Sequence, residues 1–525
     1  MTFKLTYSTM FDPPEEMHAR FESALAEVRS GLGATHAMHI DGADIAAKRT
    51  SPKASPVDRR LILGHFPVGE AADVDRAAAA ATRAFPAWRM TPHEERLRLV
   101  RRAAALIEER VYHIGAALAL EVGKNRMESL GEAQETADFF TCYAAEFERN
   151  HGYDLTLPDD PLPHHRSHNR SILKPHGVWG VIVPFNFPLA LGGGPTAAAL
   201  VTGNTVVLKG ATDTPWAGRL LADCIRDAGF PDGVFNYVTG PGSVVGEALV
   251  HHPDLAGVTF TGSHEVGMRL YRTMAGGAYP RPCIAEMGGK NACIVTARGD
   301  LERAVTGIVR SAYGLTGQKC SALSRVYVEE SVADALLEKI VAATRAISVG
   351  DPTRREIWMG PLINERAAES FALFCAELAG KGGRILLGGY RLVEGDSAHG
   401  HFVACTVAEA PADHPLFQEE MFVPILMVCR VKDVREGVAR ANSSSLGLTG
   451  GCYGDEEEVR YYLDNIEAGV IYVNRPQGAT TGAWPGYQPF GGWKGSGSTG
   501  KAIGSYYYLP LYLREQSRTV VEPAE

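Results

Sequence analysis

Between His176 and Ser263 the chain alternates short apolar runs with helix-patterned stretches. Val178–Val183 (VWGVIV), Asn204–Lys209 (NTVVLK), Val234–Val238 (VFNYV) and Val258–Thr261 (VTFT) are short, apolar and free of polar alternation, as buried strands are. Helix-like residues lie between them, those at 215–229 among them. Parallel strands need a helical crossover where antiparallel ones need only a tight turn, so this spacing predicts a parallel sheet. Gly240, Gly242, Gly246 and Gly262 follow strands, where a turn and a helix N-terminus present backbone N–H groups to a phosphate. A second alternation opens near Ala292 (ACIV) and runs through a helix at 301–315, a strand at Arg325–Val328 and a helix at 331–347. It continues past Phe422–Val428. The expected fold class is α/β, with two parallel-sheet domains of Rossmann type.

The flanking regions read differently. Met17, Phe21, Leu25 and Val28 have the spacing of an amphipathic helix over 13–32. Residues 71–90, 94–122 and 126–150 read the same way, so the first 150 residues are expected to be mainly helical. Residues 153–175 are polar and proline-containing and read as a protruding hairpin, with which the Tyr- and Leu-rich tail Ser505–Val521 can pair. An exposed strand edge needs a cover, which points to a neighbouring subunit and a homodimer or higher homo-oligomer.

Bulk properties exclude several classes. A chain of 525 residues is too long for one ordinary core. Net charge is −9 with Lys and Arg dispersed, which argues against a nucleic-acid partner. The nearest basic cluster, His164, His165, Arg166, His168 and Arg170, reads as a solvated hairpin end. Nine cysteines show neither paired spacing nor neighbouring histidines, so no metal site and no disulfide framework is expected. Reduced thiols, the absence of a signal-like N-terminus and the absence of an apolar run of about 18 residues predict a cytoplasmic protein with no membrane contact.

Three residues can carry carbonyl chemistry. Cys320 sits in Gly317-Gln318-Lys319-Cys320-Ser321, where a glycine-rich approach brings a substrate close to a thiol, the side chain best suited to attack a carbonyl. Glu286 follows an apolar run and precedes Gly288 and Gly289, an odd place for a solvated charge and a good one for a base with a raised pKa. Asn186 lies in Pro184-Phe185-Asn186-Phe187-Pro188 at the end of a strand, where its amide can donate to a developing oxyanion.

PFNFP, KGATDTP, FTGSHEVG, EMGGK, GQKCS, EEMFVP and PFGGWKGSG occur in the order found in the aldehyde dehydrogenase superfamily, and the resemblance spans roughly residues 40 to 520. It implies an aldehyde dehydrogenase-like fold and a covalent route. Cys320 attacks an aldehyde, Asn186 and the Cys320 N–H hold the oxyanion, and Glu286 activates water against the thioester. It implies NAD as cofactor, with Lys209 at the adenosine ribose, Gly262 and Ser263 at the pyrophosphate, Glu420 at the nicotinamide ribose and Phe422 beside it. Thr212 stands where many NAD-preferring members carry an acid, so NADP is also admitted. Val423 replaces the glycine usual in EEMFVP. The implied domains are 1–152 with 176–283 for NAD(P), 284–485 for catalysis, and 153–175 with 505–525 for oligomerisation.

Ser311–Ala322, EVGKN at Glu121–Asn125 and Thr481-Gly482-Ala483 further resemble the 1-pyrroline-5-carboxylate dehydrogenase subgroup. That resemblance implies oxidation of L-glutamate γ-semialdehyde, with the substrate carboxylate at Ser321, Gly482 and Ala483. A substrate amine wants an acidic partner, for which Glu135 is the candidate, and Phe185 and Phe490 are further substrate-binding candidates. Residues 475–480 are longer than in that subgroup, and Trp484-Pro485 is bulkier. The alternative is therefore another carboxylate-bearing semialdehyde or a bulkier aldehyde. A thiol hydrolase leaves Lys209, Ser263 and Glu420 without purpose. A binding protein on the same fold leaves Cys320, Glu286 and Asn186 without purpose, and retention of Glu286 favours water over coenzyme A as acyl acceptor.

Overall fold

The computed structural model describes residues 4–523. The expected domain ends 1–3 and 524–525 lie outside the described residues. Two seven-stranded sheets organise the chain. The first runs, in spatial order, Cys283–Glu286, Leu255–Thr261, Val178–Ile182, Thr205–Lys209, Phe235–Val238, Met38–Ile40, Ala43–Ile45. Its first five strands are parallel; Met38–Ile40 then joins Phe235–Val238 antiparallel. The second runs Arg384–Leu387, Thr406–Glu409, Ile425–Val431, Leu323–Glu329, Asn291–Val295, Thr449–Tyr453, Val470–Val473, parallel except for its first strand. Their central strands are buried because helices cover both faces, which is why they read as continuous apolar runs, while the edge strands Ala43–Ile45 and Arg384–Leu387 are partly exposed.

Four details depart from the sequence reading. The first sheet ends at Glu286 rather than 283, so a boundary after 283 cuts its last strand. The helix expected over 94–122 is two, His93–Glu109 and Val111–Val122, broken at Arg110. The strand placed at Phe422–Val428 is Ile425–Val431, because Phe422 has φ +58°, outside strand geometry. Residues 34–67 hold five short strands inside the supposedly helical first third. Those strands are two to six residues long with no regular alternation, which leaves no period to read.

The hairpin and the tail do pair. His165–Pro175 lies between Asp154–Leu157 and Leu513–Pro523, with an unbroken antiparallel register from Leu513↔Pro175 to Pro523↔His165. Leu155, Leu157, Val520 and Val521 are exposed on this sheet. No helix among the described residues is long and apolar enough to cross a membrane.

Candidate active site

The linker of residues 287–290 joins the carboxyl end of the first sheet to the amino end of a second-sheet strand, Asn291–Val295. The site gathers around it. Glycines are needed here because two other segments of the chain press on the backbone. A Cβ on Gly288 would overlap the Glu420 carboxylate, and one on Gly289 would lie 2.5 Å from the Cys320 carbonyl oxygen. The Gly492–Gly497 segment closes over the linker: the Met287 N–H donates to the Ser496 carbonyl at 2.9 Å, and the Ser496 hydroxyl donates to the Gly288 carbonyl at 2.7 Å.

Cys320 sits just before Leu323–Glu329, at the end of a strained approach. Leu315 and Thr316 have φ of +47° and +58°, left-handed values that cost a side-chain-bearing residue of order 1 kcal/mol each. The surroundings hold them. The Leu315 N–H donates to Glu128 at 3.2 Å, and the Thr316 hydroxyl donates to the Gly360 carbonyl at 2.9 Å. The Asn291 amide donates to the Cys320 carbonyl at 2.7 Å and fixes the turn. Burial, with Glu420 and Glu286 facing it, pushes the Cys320 thiol up to about 12. The resting thiol is neutral, so a base must take its proton before attack.

Asn186 is buried, and its amide donates to the Gln318 carbonyl at 2.9 Å. A primary amide has two N–H donors, so one stays available beside the thiol loop. Glu286 ends its strand fully enclosed; its Oε2 has no hydrogen-bond partner among the described residues. Burial raises its carboxyl well above the usual range, with the Gly492 backbone N–H acting in the opposite direction.

The coenzyme residues expected from sequence lie at the carboxyl end of the first sheet and across the linker. Lys209 is buried at the end of Thr205–Lys209, and desolvation brings its ammonium down to about 8. Thr212 is exposed and its hydroxyl donates to the Gly240 carbonyl at 3.3 Å, so no carboxylate occupies that position. Gly262 is held by its N–H to the Glu286 carbonyl, and Ser263 is the N-cap of the helix His264–Ala275. Glu420 accepts the Gly289 N–H at 2.9 Å, and burial pushes its carboxyl up to about 7. A lysine without a salt bridge, a capped helix N-terminus and a carboxylate across the linker fit ribose hydroxyls and a pyrophosphate. Val423 is buried in the second sheet's core with Met421 and Ile425, so its side chain replaces glycine without strain.

Cys320, Ser321, Gly482, Ala483, Glu135 and Phe490 line one cavity. Glu135 is no surface residue. It accepts a hydrogen bond from the Tyr7 hydroxyl at 2.7 Å, and burial pushes it up to about 8. Phe185, expected at the substrate, does not line this cavity. Its ring packs edge-on against Phe422 at 5.9 Å in the cleft on the other side, and Phe187 takes the wall position instead. Phe185 and Phe187 flank Asn186 yet line different cavities. Trp484 does not narrow the cavity either: it is buried behind it, donating to Asp138 at 2.8 Å.

Sequence reasoning missed the charged layer beneath the cavity. Glu128, Glu132 and Glu135 share one face of the helix Arg126–Arg149. Glu128 pairs with Lys319 at 2.6 Å and Glu132 with the fully enclosed Lys124 at 2.6 Å. Glu132 also accepts the Leu189 and Ala190 N–H groups at 2.8 and 3.2 Å, which caps the helix that follows the Asn186 turn. The spacing of the three glutamates was the available signal. Tyr7, Met10 and Phe11 also line the cavity, and no sequence signal marked them.

Residues 45–517 match the aldehyde dehydrogenase family. The chain belongs to the aldehyde dehydrogenase family. It is 36% identical over 516 residues to 1-pyrroline-5-carboxylate dehydrogenase 2 of Halalkalibacterium halodurans, covering 97% of each chain. It is 36% identical over 510 residues to 1-pyrroline-5-carboxylate dehydrogenase of a Geobacillus species, covering 96% of each. Among solved structures, 1-pyrroline-5-carboxylate dehydrogenase from Thermus with bound NAD superposes with a TM-score of 0.92 at 34% identity, covering 100% of both chains. As a member of this family the protein is an oxidoreductase with the aldehyde dehydrogenase fold, and its two-sheet architecture is the family's.

Proposed function

We propose that the protein oxidises L-glutamate γ-semialdehyde, the open form of 1-pyrroline-5-carboxylate, to L-glutamate with NAD, a step of proline catabolism. The observation that carries this reading is the cavity: one pocket lined by the Cys320 thiol, by Ser321, Gly482 and Ala483, and by Glu135. End-to-end similarity to named 1-pyrroline-5-carboxylate dehydrogenases supports it. Glu286, once ionised, takes the thiol proton as Cys320 attacks the aldehyde carbon, and releases it to solvent before the hydrolytic step. The remaining Asn186 N–H and the Cys320 N–H receive the oxyanion. NAD, when bound at Lys209, Ser263 and Glu420, supplies the hydride acceptor that turns the thiohemiacetal into a thioester. Glu286, a stronger base once ionised than an exposed glutamate, takes a proton from the water that releases the acid and restores the thiol. Ser321 with the Gly482 and Ala483 N–H groups meets the substrate carboxylate, and Glu135 meets the amine.

Thr212 leaves room for NADP as a second coenzyme. The exposed apolar residues of the hairpin sheet support a homodimer or larger homo-oligomer built on it, and the free cysteines support a cytoplasmic location. Gln477, from the longer segment, lines the cavity and favours a second reading, a different carboxylate-bearing semialdehyde. Steady-state kinetics decide between them. The expected result is that 1-pyrroline-5-carboxylate exceeds succinate semialdehyde and an aliphatic aldehyde at least tenfold in kcat/KM, about 1.4 kcal/mol of discrimination. Preference for succinate semialdehyde would select the second reading.

A further inference from the structure

The cavity's cations are not equivalent. Lys319 is neutralised by Glu128 at 2.6 Å. Arg310, in the helix Leu301–Tyr313, lines the same cavity and has no carboxylate partner and no side-chain hydrogen bond among the described residues. Its guanidinium carbon lies 3.6 Å from the centre of the Phe11 ring, which supports one face and leaves the N–H edge uncommitted. Other enclosed arginines are committed: Arg96 donates to the Val201 and Thr91 carbonyls, and Arg126 to the Thr353 carbonyl and Glu22. Burial lowers the Arg310 pKa from its usual value, with no neighbouring anion to offset it. A guanidinium held flat on an aromatic ring, with its donors free in a substrate cavity, is suited to two-point binding of a carboxylate.

We infer that Arg310 is a specificity-determining residue that binds the carboxylate of the aldehyde substrate, supplying the charge that the neutral N–H groups of Gly482 and Ala483 lack. This rests on the proposed reading that the substrate carries a carboxylate. With Glu135 in the same cavity, the site offers one cation and one acid, the complement of an α-amino acid.

The test compares Arg310→Gln and Arg310→Lys with the wild type on L-glutamate γ-semialdehyde, succinate semialdehyde and pentanal, with inhibition by L-glutamate measured in parallel. The expected result for Arg310→Gln is a KM for the preferred carboxylate-bearing aldehyde raised about tenfold or more with kcat nearly unchanged, the pattern of lost binding common to ground and transition states. Its KM for pentanal is expected to stay at the wild-type value, L-glutamate to inhibit correspondingly less well, and Arg310→Lys to recover part of the loss. KM values rising together for charged and neutral aldehydes would overturn the inference, leaving Arg310 as a prop for Phe11. So would no change for either. The wild-type ranking reports separately on the proposed function: if succinate semialdehyde leads, that reading falls while the variant-to-wild-type ratio on succinate semialdehyde still decides Arg310. A wild type indifferent to the carboxylate overturns both.

Discussion

The two sheets contribute to the site from opposite ends. The first offers the carboxyl ends of its strands: Asn186, Lys209, Ser263 and Glu286 all lie at or just after one. The second offers amino ends: Cys320 precedes Leu323–Glu329 and Glu420 precedes Ile425–Val431. Residues after a parallel strand fall naturally into a turn and a helix N-terminus. Residues before one have no such frame and must be bent into place. The second sheet accordingly carries the positive φ values at Leu315, Thr316 and Phe422, and the close approaches at Gly288, Gly289 and Gly317. The first sheet's contribution is thus held by regular structure, and the second sheet's by strain that specific hydrogen bonds offset.

The largest expected effect comes from the first sheet. Asn186→Ala removes a donor from the oxyanion position, and kcat should fall by roughly 10²–10³ with coenzyme KM little changed. A loss under threefold would remove Asn186 from the chemistry. Next is the pH response of the second sheet's thiol. Burial raises its pKa, so the neutral form dominates below that value and the thiolate fraction grows as pH rises. Alkylation of Cys320 by iodoacetamide, followed by peptide mass spectrometry, should climb about tenfold per pH unit from 7 to 10 without a plateau, since only the thiolate reacts. A plateau near pH 8 would mean that the resting thiol is already activated. The smallest effect tests the linker between the sheets. Gly288→Ala pushes the Glu420 carboxylate aside, and overpacking of about 1 kcal/mol should raise coenzyme KM about fivefold. Cys320 alkylation should not change; if it does, the two sides are less separable than the geometry implies.

The contrast also explains what could be read in advance. The alternation of the parallel strands, Cys320, Glu286 and Asn186 were legible because motif and secondary-structure period coincide there. Phe185 was assigned to the wrong side because a five-residue turn does not reveal which way each ring points. Trp484 looked like a substrate contact until Asp138 was found to hold it behind the wall. Glu135 was legible as a residue but not as a part-buried one, since Tyr7, its partner, is 128 residues away. Tyr7, Phe11 and the Lys124–Glu132 pair depend on contacts between distant segments, and no local pattern records those.

The substrate cavity takes Tyr7 and Phe11 from one end of the chain, Cys320 from its middle, and Gly482, Phe490 and Ile503 from near the other. A nascent chain emerging from the ribosome therefore carries its thiol long before it has a pocket. Until Gly482, Phe490 and Ile503 have been made, Cys320 has no complete walls to select an aldehyde and no Gly492–Gly497 clasp around its linker. Catalytic competence therefore waits on residues made well after the thiol itself.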